Sequence, residues 1–91
     1  MKSVRALVSG RVQGVWYRGW TVEQARHQGV TGWVRNRRDG SVEAVLSGPS
    51  ENVDALLELL WRGPGPARVT GVDVTPCDPP SDPGFHQLPS A

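Results

Sequence analysis

The sequence has little of several features that would place it in a special class of protein. Its only cysteine is Cys77, so no disulfide can form within the chain. No stretch approaches the run of about 18 apolar residues that a membrane-spanning helix requires, and the first residues lack the apolar run of a signal peptide. These absences predict a soluble protein of the cytoplasm that has no contact with membranes.

Positive and negative charges are nearly balanced. Ten lysines and arginines stand against nine acidic residues, which gives a formal net charge of +1. Proteins that bind DNA or RNA usually carry a clear surplus of cationic side chains, so we expect no nucleic-acid partner. Histidine, cysteine and acidic residues form no cluster with the spacing of a metal site, and we therefore expect no metal and no other cofactor.

The length of 91 residues suffices for one domain, over residues 1–91, with a modest hydrophobic core. Eleven glycines and eight prolines make up about a fifth of the chain, which is below the ~25–30% that marks a low-complexity sequence. The composition is typical of a small domain with many turns, and we expect it to be a monomer.

Hydrophobic periodicity predicts the order of the secondary-structure elements. Alternating apolar residues indicate strands, and apolar residues at i, i+3, i+4 and i+7 indicate a helix. In the second helix, Ser50 is the expected N-cap, and Gly63 and Pro64 begin the segment that ends it. The predicted elements are strands over 4–9, 30–36, 41–47 and 68–77, helices over about 18–28 and from 50 onward, and a short closing strand over 85–88.

This order predicts an α+β protein with the ferredoxin-like βαββαβ sandwich, an antiparallel sheet with two helices on one face. The first two strands are joined by a helical crossover and must therefore run parallel to each other. Their carboxyl ends lie at the same edge of the sheet. The loop after the first strand and the end of the second strand are thus expected to be neighbours.

Those two places hold the residues best suited to chemistry. Between Ser9 and Arg18 the chain passes from a strand through Gly10 and Gly14 into a helix, where unpaired backbone N–H groups favour an anion. Arg18 adds a planar fork that matches two phosphate oxygens. By themselves these features fit an ordinary turn and a solvated arginine better than they fit an anion site. Asn36 is either a turn residue or a side chain whose amide holds a water molecule.

Two longer segments resemble the signatures of the acylphosphatase family. Residues 10–18, Gly-Arg-Val-Gln-Gly-Val-Trp-Tyr-Arg, are similar to the first signature, Gly-x-Val-Gln-Gly-Val-x-aromatic-Arg. Residues 32–43, Gly-Trp-Val-Arg-Asn-Arg-Arg-Asp-Gly-Ser-Val-Glu, are similar to the second, with Gly48 at the expected distance beyond it. The similarity spans roughly residues 4 to 75. Near its end the chain departs from the family, because Gln87 stands where an aliphatic residue is usual.

The resemblance implies an enzyme that hydrolyses the carboxyl–phosphate bond of a small acyl phosphate without a metal, with inorganic phosphate as product and competitive ligand. It implies that Arg18 holds the phosphate and that Asn36 positions the attacking water. It also implies a cradle of backbone N–H groups from Gln13, Gly14, Val15, Trp16, Tyr17 and Arg18. The leaving carboxylate has a conjugate acid with a pKa of roughly 4, so no proton donor is needed.

Other functions fit the sequence less well. A non-catalytic phosphate-binding or anion-binding module of the same fold is the main alternative, and a domain of a larger carbamoyl phosphate machine is another. An RNA-binding module would show aromatic residues in a basic-Gly-aromatic pattern on central strands, which the chain lacks. A P-loop enzyme would require a Gly-Lys-Ser/Thr ending, and this is absent too.

Overall fold

The structure is a computed structural model that describes all residues from Met1 to Ala91. It contains five strands and two helices in the predicted order. Their bounds are β1 Lys2–Arg11, α1 Tyr17–Gln28, β2 Thr31–Asn36, β3 Val42–Gly48, α2 Ser50–Arg62, β4 Arg68–Pro76 and β5 Phe85–Gln87. No helix combines the length and the apolar character needed to cross a membrane.

The strands form one sheet in the order β4-β1-β3-β2-β5. Because β3 pairs antiparallel with both β1 and β2, these two strands run in the same direction, as the crossover argument predicted. The short β5 lies at the far edge and pairs parallel with β2. The predicted βαββαβ fold is therefore confirmed, with a mixed sheet, because the chain after β4 crosses to the opposite edge before it forms β5.

The core lies between one face of the sheet and the two helices. Alternate residues of β1 point into it, as the period of two predicted, and α2 contributes the residues of its apolar stripe. The buried cluster consists of Val4, Ala6, Val8, Val12, Tyr17, Ala25, Val30, Val34, Val42, Ala44, Leu46, Val53, Leu56, Leu60 and Phe85. The two helices thus cover a single face of the sheet.

Gly32 is required because the backbone of β3 lies where a side chain at this position of β2 would begin. Its φ is 137°, and a Cβ at this position would lie 1.8 Å from the carbonyl oxygen of Val45. No side chain fits there without moving the backbone of the central strand. This explains why the second residue of β2 is a glycine.

Two local details differ from the sequence prediction, and a third concerns the inner face of α1. The strand β1 continues through Gly10 to Arg11 after a register shift, so the connecting loop is shorter than predicted. The N-cap of α2 is Pro49, whose carbonyl accepts from Asn52 and Val53, and Ser50 is already helical. In α1 the buried residues are Tyr17, Thr21 and Ala25, whereas Val22 is half-buried and Arg26 is exposed.

Candidate active site

The loop between β1 and α1 has an unusual backbone. Val12 is buried and fixes the start of the loop in the core. Gly14 has a φ of 74°, and Trp16, the residue before α1, has a φ of 64°. A positive φ is uncommon for a bulky residue and costs of order 1–3 kcal/mol, so the surrounding structure must hold Trp16 in place. Such alternation of backbone conformation turns successive N–H groups toward a common point.

The N–H groups of this loop have no partners within the protein. Outside the regular elements, none of the backbone hydrogen bonds is donated by residues 13–18. The helix α1 also lacks the usual devices at its N-terminus, because Trp16 makes no side-chain cap and the first turn contains no acidic residue. Unpaired N–H groups at a helix N-terminus, together with the helix dipole, favour a bound anion.

One small cavity brings the predicted residues together. It measures about 130 Å³ and is lined by Val12, Gln13, Gly14, Trp16, Tyr17, Arg18, Gly19, Asn36 and Gln87. Its volume is well below the ~300–1,000 Å³ that drug-sized ligands occupy, and it suits a small anion. Among the residues expected to form the cradle, only Val15 is not part of the lining, and it packs partly against the core.

Arg18 is available for a ligand. It lies in the first turn of α1, and the cations in the ion pairs of the chain are Lys2, Arg5, Arg35 and Arg37. No carboxylate of the protein neutralises its guanidinium. A half-buried arginine without an internal anion is well suited to bind the phosphate of a substrate.

Asn36 is held by its backbone at the end of β2. It pairs with Val42 of β3 on one side, and on the other its carbonyl oxygen accepts from the N–H of Ala91 at 2.9 Å. The side chain makes none of these contacts, so its amide remains free to face the cavity that Asn36 lines together with Arg18. The strand therefore fixes the position of a side chain whose own donor and acceptor are unused.

Tyr17, beside Arg18, anchors the loop to the rest of the protein. Its hydroxyl donates to the carbonyl oxygen of Leu60 in α2 at 2.6 Å, and its ring lies 5.5 Å from that of Trp20. The side chain is almost completely buried, and burial raises the pKa of the phenol well above its usual value. The aromatic residue of the signature is thus a structural anchor, although its backbone N–H belongs to the loop.

Two of the three arginines next to Asn36, Arg35 and Arg37, form ion pairs with a residue of the sheet. On the face opposite the helices, Glu43 forms ion pairs with Arg5, Arg35 and Arg37, and only 4% of its side chain is exposed. Arg35 Nε donates to Glu43 Oε1 at 2.7 Å, and its guanidinium stacks on Trp33. These arginines therefore do not form a free basic patch.

Three contributions to the cavity were missed from the sequence. Gln13 was expected to act through its backbone, yet its side-chain amide also donates to two carbonyls of the β2–β3 turn. Gly19 leaves room for the indole of Trp16, whose Nε1 would lie 2.1 Å from a Cβ there. Gln87 lines the cavity from β5, and its departure from the family pattern was the one signal that pointed to it.

A larger cavity of about 520 Å³ lies elsewhere, between β2, β5 and residues 80–82. It is lined by Gly32, Trp33, Pro80, Ser81, Asp82, His86 and Leu88, and contains neither Arg18 nor Asn36. Size alone would favour this larger cavity as the active site. It lacks, however, the unpaired backbone N–H donors that line the smaller cavity. No three His, Cys, Asp or Glu side chains come together anywhere in a group able to hold a metal ion.

Comparison with known proteins gives a consistent result. The acylphosphatase family model matches residues 4–87. An acylphosphatase of Rhodospirillum rubrum is 54% identical over 90 residues, which are 99% of this chain and 99% of that protein. An acylphosphatase of Methylococcus capsulatus is 60% identical over 74 residues, covering 81% of this chain and 80% of its own.

Solved structures agree with the sequence relatives. The crystal structure of acylphosphatase from Bacillus subtilis superposes with a TM-score of 0.92 at 32% identity, covering 97% of this chain and 99% of that one. An acylphosphatase from Coxiella burnetii gives a TM-score of 0.91 at 33% identity, over 96% and 92% of the two chains.

Proposed function

The chain belongs to the acylphosphatase family, and we propose that Arg18, Asn36 and the backbone N–H groups of residues 13–18 carry out its reaction. The enzyme hydrolyses the carboxyl–phosphate bond of a small acyl phosphate and releases a carboxylate and inorganic phosphate. The observation that carries the assignment of residues is the small cavity, in which Arg18 and Asn36 line the same space as the unpaired loop.

In this proposal the loop and Arg18 bind the phosphoryl group. The N–H groups of the loop donate to the equatorial phosphate oxygens, and the guanidinium of Arg18 donates to two of them at once. Phosphoryl transfer requires mainly positioning and the neutralisation of charge on these oxygens. Donors that are fixed before the substrate binds supply this without reorganisation, and they act more strongly where water is excluded.

Asn36 positions the nucleophile. The Oδ1 atom of its side-chain amide accepts a hydrogen bond from a water molecule, and this orients the water's oxygen toward phosphorus, opposite the bond to the acyl group. The water oxygen forms the new bond to phosphorus while the bond between phosphorus and the acyl oxygen breaks. Both electrons of the broken bond leave with the carboxylate, and the proton of the water passes to the phosphate product or to solvent.

The departing group explains why the site contains so few ionisable residues. A carboxylate is a stable anion at neutral pH, since its conjugate acid has a pKa of roughly 4, and it leaves without being protonated. No histidine, aspartate or glutamate lines the cavity. The site suits acyl phosphates. Hydrolysis of an alkyl phosphate would have to release a poorly stabilised alkoxide.

The test separates binding from turnover. Arg18→Ala is expected to weaken inhibition by inorganic phosphate and to abolish most of the turnover of benzoyl phosphate. Asn36→Ala is expected to preserve phosphate inhibition and to lower kcat by roughly two to three orders of magnitude, the scale for one positioned polar group. Melting temperatures on the same preparations show whether each variant is folded.

The roles would be overturned by two results. If phosphate binding fell in step with turnover in a folded Asn36→Ala variant, Asn36 would be a substrate ligand. If a folded Arg18→Ala variant kept normal phosphate inhibition, the anion would bind elsewhere.

The proposal also includes a monomer that acts in the cytoplasm without a membrane or nucleic-acid partner. The cavity is lined by residues of a single chain, and Cys77 is a free thiol, as is usual in a reducing compartment. Sedimentation at several protein concentrations tests the monomer, and fractionation of the source cells tests the location.

A further inference from the structure

The side chain of Gln13 joins two parts of the site that are distant in sequence. Its Nε2 donates to the carbonyl oxygen of Arg37 at 2.7 Å and to that of Ser41 at 2.9 Å. Gln13 belongs to the anion-binding loop, whereas Arg37 and Ser41 belong to the connection between β2 and β3. Both hydrogens of the amide are therefore committed to the hairpin.

The two acceptors lie at the base of that turn. The N–H of Arg37 donates to the Ser41 carbonyl at 2.9 Å, and the N–H of Gly40 donates to the Arg37 carbonyl at 3.2 Å. Within the turn, Asp39 Oδ1 accepts from the backbone N–H and the hydroxyl of Ser41. The turn is thus a small rigid unit, and it begins at the residue after Asn36.

The contact with Gln13 has no substitute in the backbone. None of the backbone hydrogen bonds outside the regular elements joins residues 12–16 to residues 36–42. The sheet places Asn36 relative to β3, and the helix places Arg18 relative to the core. The two hydrogen bonds of the Gln13 amide are the ones that join the loop to the hairpin.

We propose that Gln13 is a positioning residue for hydrolysis: its amide sets the distance between the anion-binding loop and Asn36, so that the water lies in line with phosphorus. The inference rests on the proposed function, in which the loop holds the phosphoryl group and Asn36 holds the water. In-line attack depends on this distance, because a misplacement of 1 Å can cost about a hundredfold in rate. Binding of the phosphate alone does not depend on it.

Two variants of nearly unchanged size test the proposal. Gln13→Met keeps the length of the side chain but has no donor, and Gln13→Glu places a carboxylate against two carbonyl oxygens. Both keep the backbone N–H of the loop. We expect Gln13→Met to lower kcat for benzoyl phosphate about 10- to 100-fold, and Gln13→Glu to lower it further. The inhibition constant for inorganic phosphate is expected to change less than about threefold in Gln13→Met.

The matched control is Gln24→Met on α1, whose side chain makes no hydrogen bond within the protein and does not line the cavity. It is expected to leave both constants unchanged. Melting temperatures are measured for all variants, and kcat is determined at temperatures where each is fully folded. A Gln13→Met variant that is folded and has normal kcat would overturn the proposal, and so would equal losses of phosphate binding and turnover.

A double-mutant cycle separates this inference from the function on which it rests. If Gln13 acts through Asn36, Gln13→Met has little further effect on kcat in the Asn36→Ala background. Additive losses, with Asn36→Ala alone behaving as proposed, would overturn the role of Gln13 and leave the proposed function intact. Normal kcat in a folded Asn36→Ala variant would instead overturn the water-positioning role, and the inference with it.

Discussion

Tyr17 and Arg18 are adjacent in sequence but have opposite environments. The side chain of Tyr17 points into the core and donates to the Leu60 carbonyl, while Arg18 faces the anion cavity. The helix geometry produces this contrast, because successive residues of a helix point about 100° apart. The buried member of the pair fixes the first turn of α1, and the other is thereby held at the cavity.

The ionisation of Tyr17 tests its burial. Burial raises the pKa of this phenol, so the folded protein is expected to form no phenolate near pH 10, where an exposed tyrosine titrates. The pKa of Tyr17 is higher in the folded than in the unfolded protein. The contribution of the protonated phenol to the free energy of unfolding is therefore fully present below about pH 10, and it is lost as the pH rises through the folded-state pKa. The absorbance of phenolate at 295 nm reports it directly, since Tyr17 is the only tyrosine.

The comparison state is the same protein in denaturant, in which the absorbance is expected to rise near pH 10. Tyr17→Phe removes the signal and costs about 1–2 kcal/mol of unfolding free energy, because the carbonyl of Leu60 loses its donor. A phenolate that forms near pH 10 in the folded protein would contradict the buried position.

At the scale of elements, β3 is the centre of the sheet and all of its residues are buried. On the helix side it packs Val42, Ala44 and Leu46 into the core. On the other side Glu43 is covered by the side chains of Arg5 and Arg35, which lie on the two neighbouring strands. Burial by itself raises the pKa of Glu43, but hydrogen bonds from Arg35 and Arg5 outweigh it and hold the pKa below its usual value.

This arrangement predicts an acid dependence of stability. Because the folded-state pKa of Glu43 is lowered, its contribution is present above the unfolded pKa of about 4.3 and is lost as the pH falls through the folded value. Glu43→Gln is expected to lower the unfolding free energy by about 1–3 kcal/mol at neutral pH and to make its decrease in acid shallower. Urea unfolding at several pH values measures both effects.

The control is Asp54→Asn, which removes the exposed pair with Lys2. It is expected to change the unfolding free energy by no more than about 0.5 kcal/mol. If the two variants had the same free energy of unfolding at neutral pH, the ion pairs of Glu43 would stabilise the protein no more than an exposed ion pair does.

At the scale of the whole molecule, the βαββαβ topology places the site. The crossover helix α1 makes β1 and β2 parallel, and β3 lies between them, so the loop after β1 and the end of β2 meet at one edge. The site therefore combines a helix N-terminus with a strand end, and neither contributes an acidic group to the cavity. In the proposed mechanism its chemistry depends on fixed donors and one arginine.

This composition predicts how the enzyme responds to metal removal and to a change of leaving group. Hydrolysis of benzoyl phosphate is expected to be unchanged after exhaustive chelation, because Arg18 and backbone N–H groups already neutralise the phosphate and would repel a cation. A phosphate monoester is expected to react at least about a hundredfold more slowly, since its leaving group needs a proton donor. Loss of activity on chelation that a divalent ion restores, or comparable rates on both substrates, would contradict this mechanism.

The sequence by itself determined the order of the elements, the fold and the two segments that form the proposed site. Period-two and period-3.6 patterns are local, so β1, β3 and α2 could be recognised from neighbouring residues alone. The crossover rule placed the end of β2, with Asn36, beside the loop that leads to Arg18, and the resemblance to the family signatures assigned these two residues their predicted roles. The roles assigned to them stay predictions until the variants are measured.

Only the tertiary structure decided which side chains join those places. The hydrogen bonds of Gln13 to the hairpin, the entry of Gln87 into the cavity and the burial of Glu43 all connect residues that are far apart in the chain. Local patterns contain no information about such contacts, because they depend on strand register and on the packing of α1 against the sheet. The same reason explains why β5 pairs parallel with β2: its partner is set by the edge that the chain reaches after β4, not by its three residues.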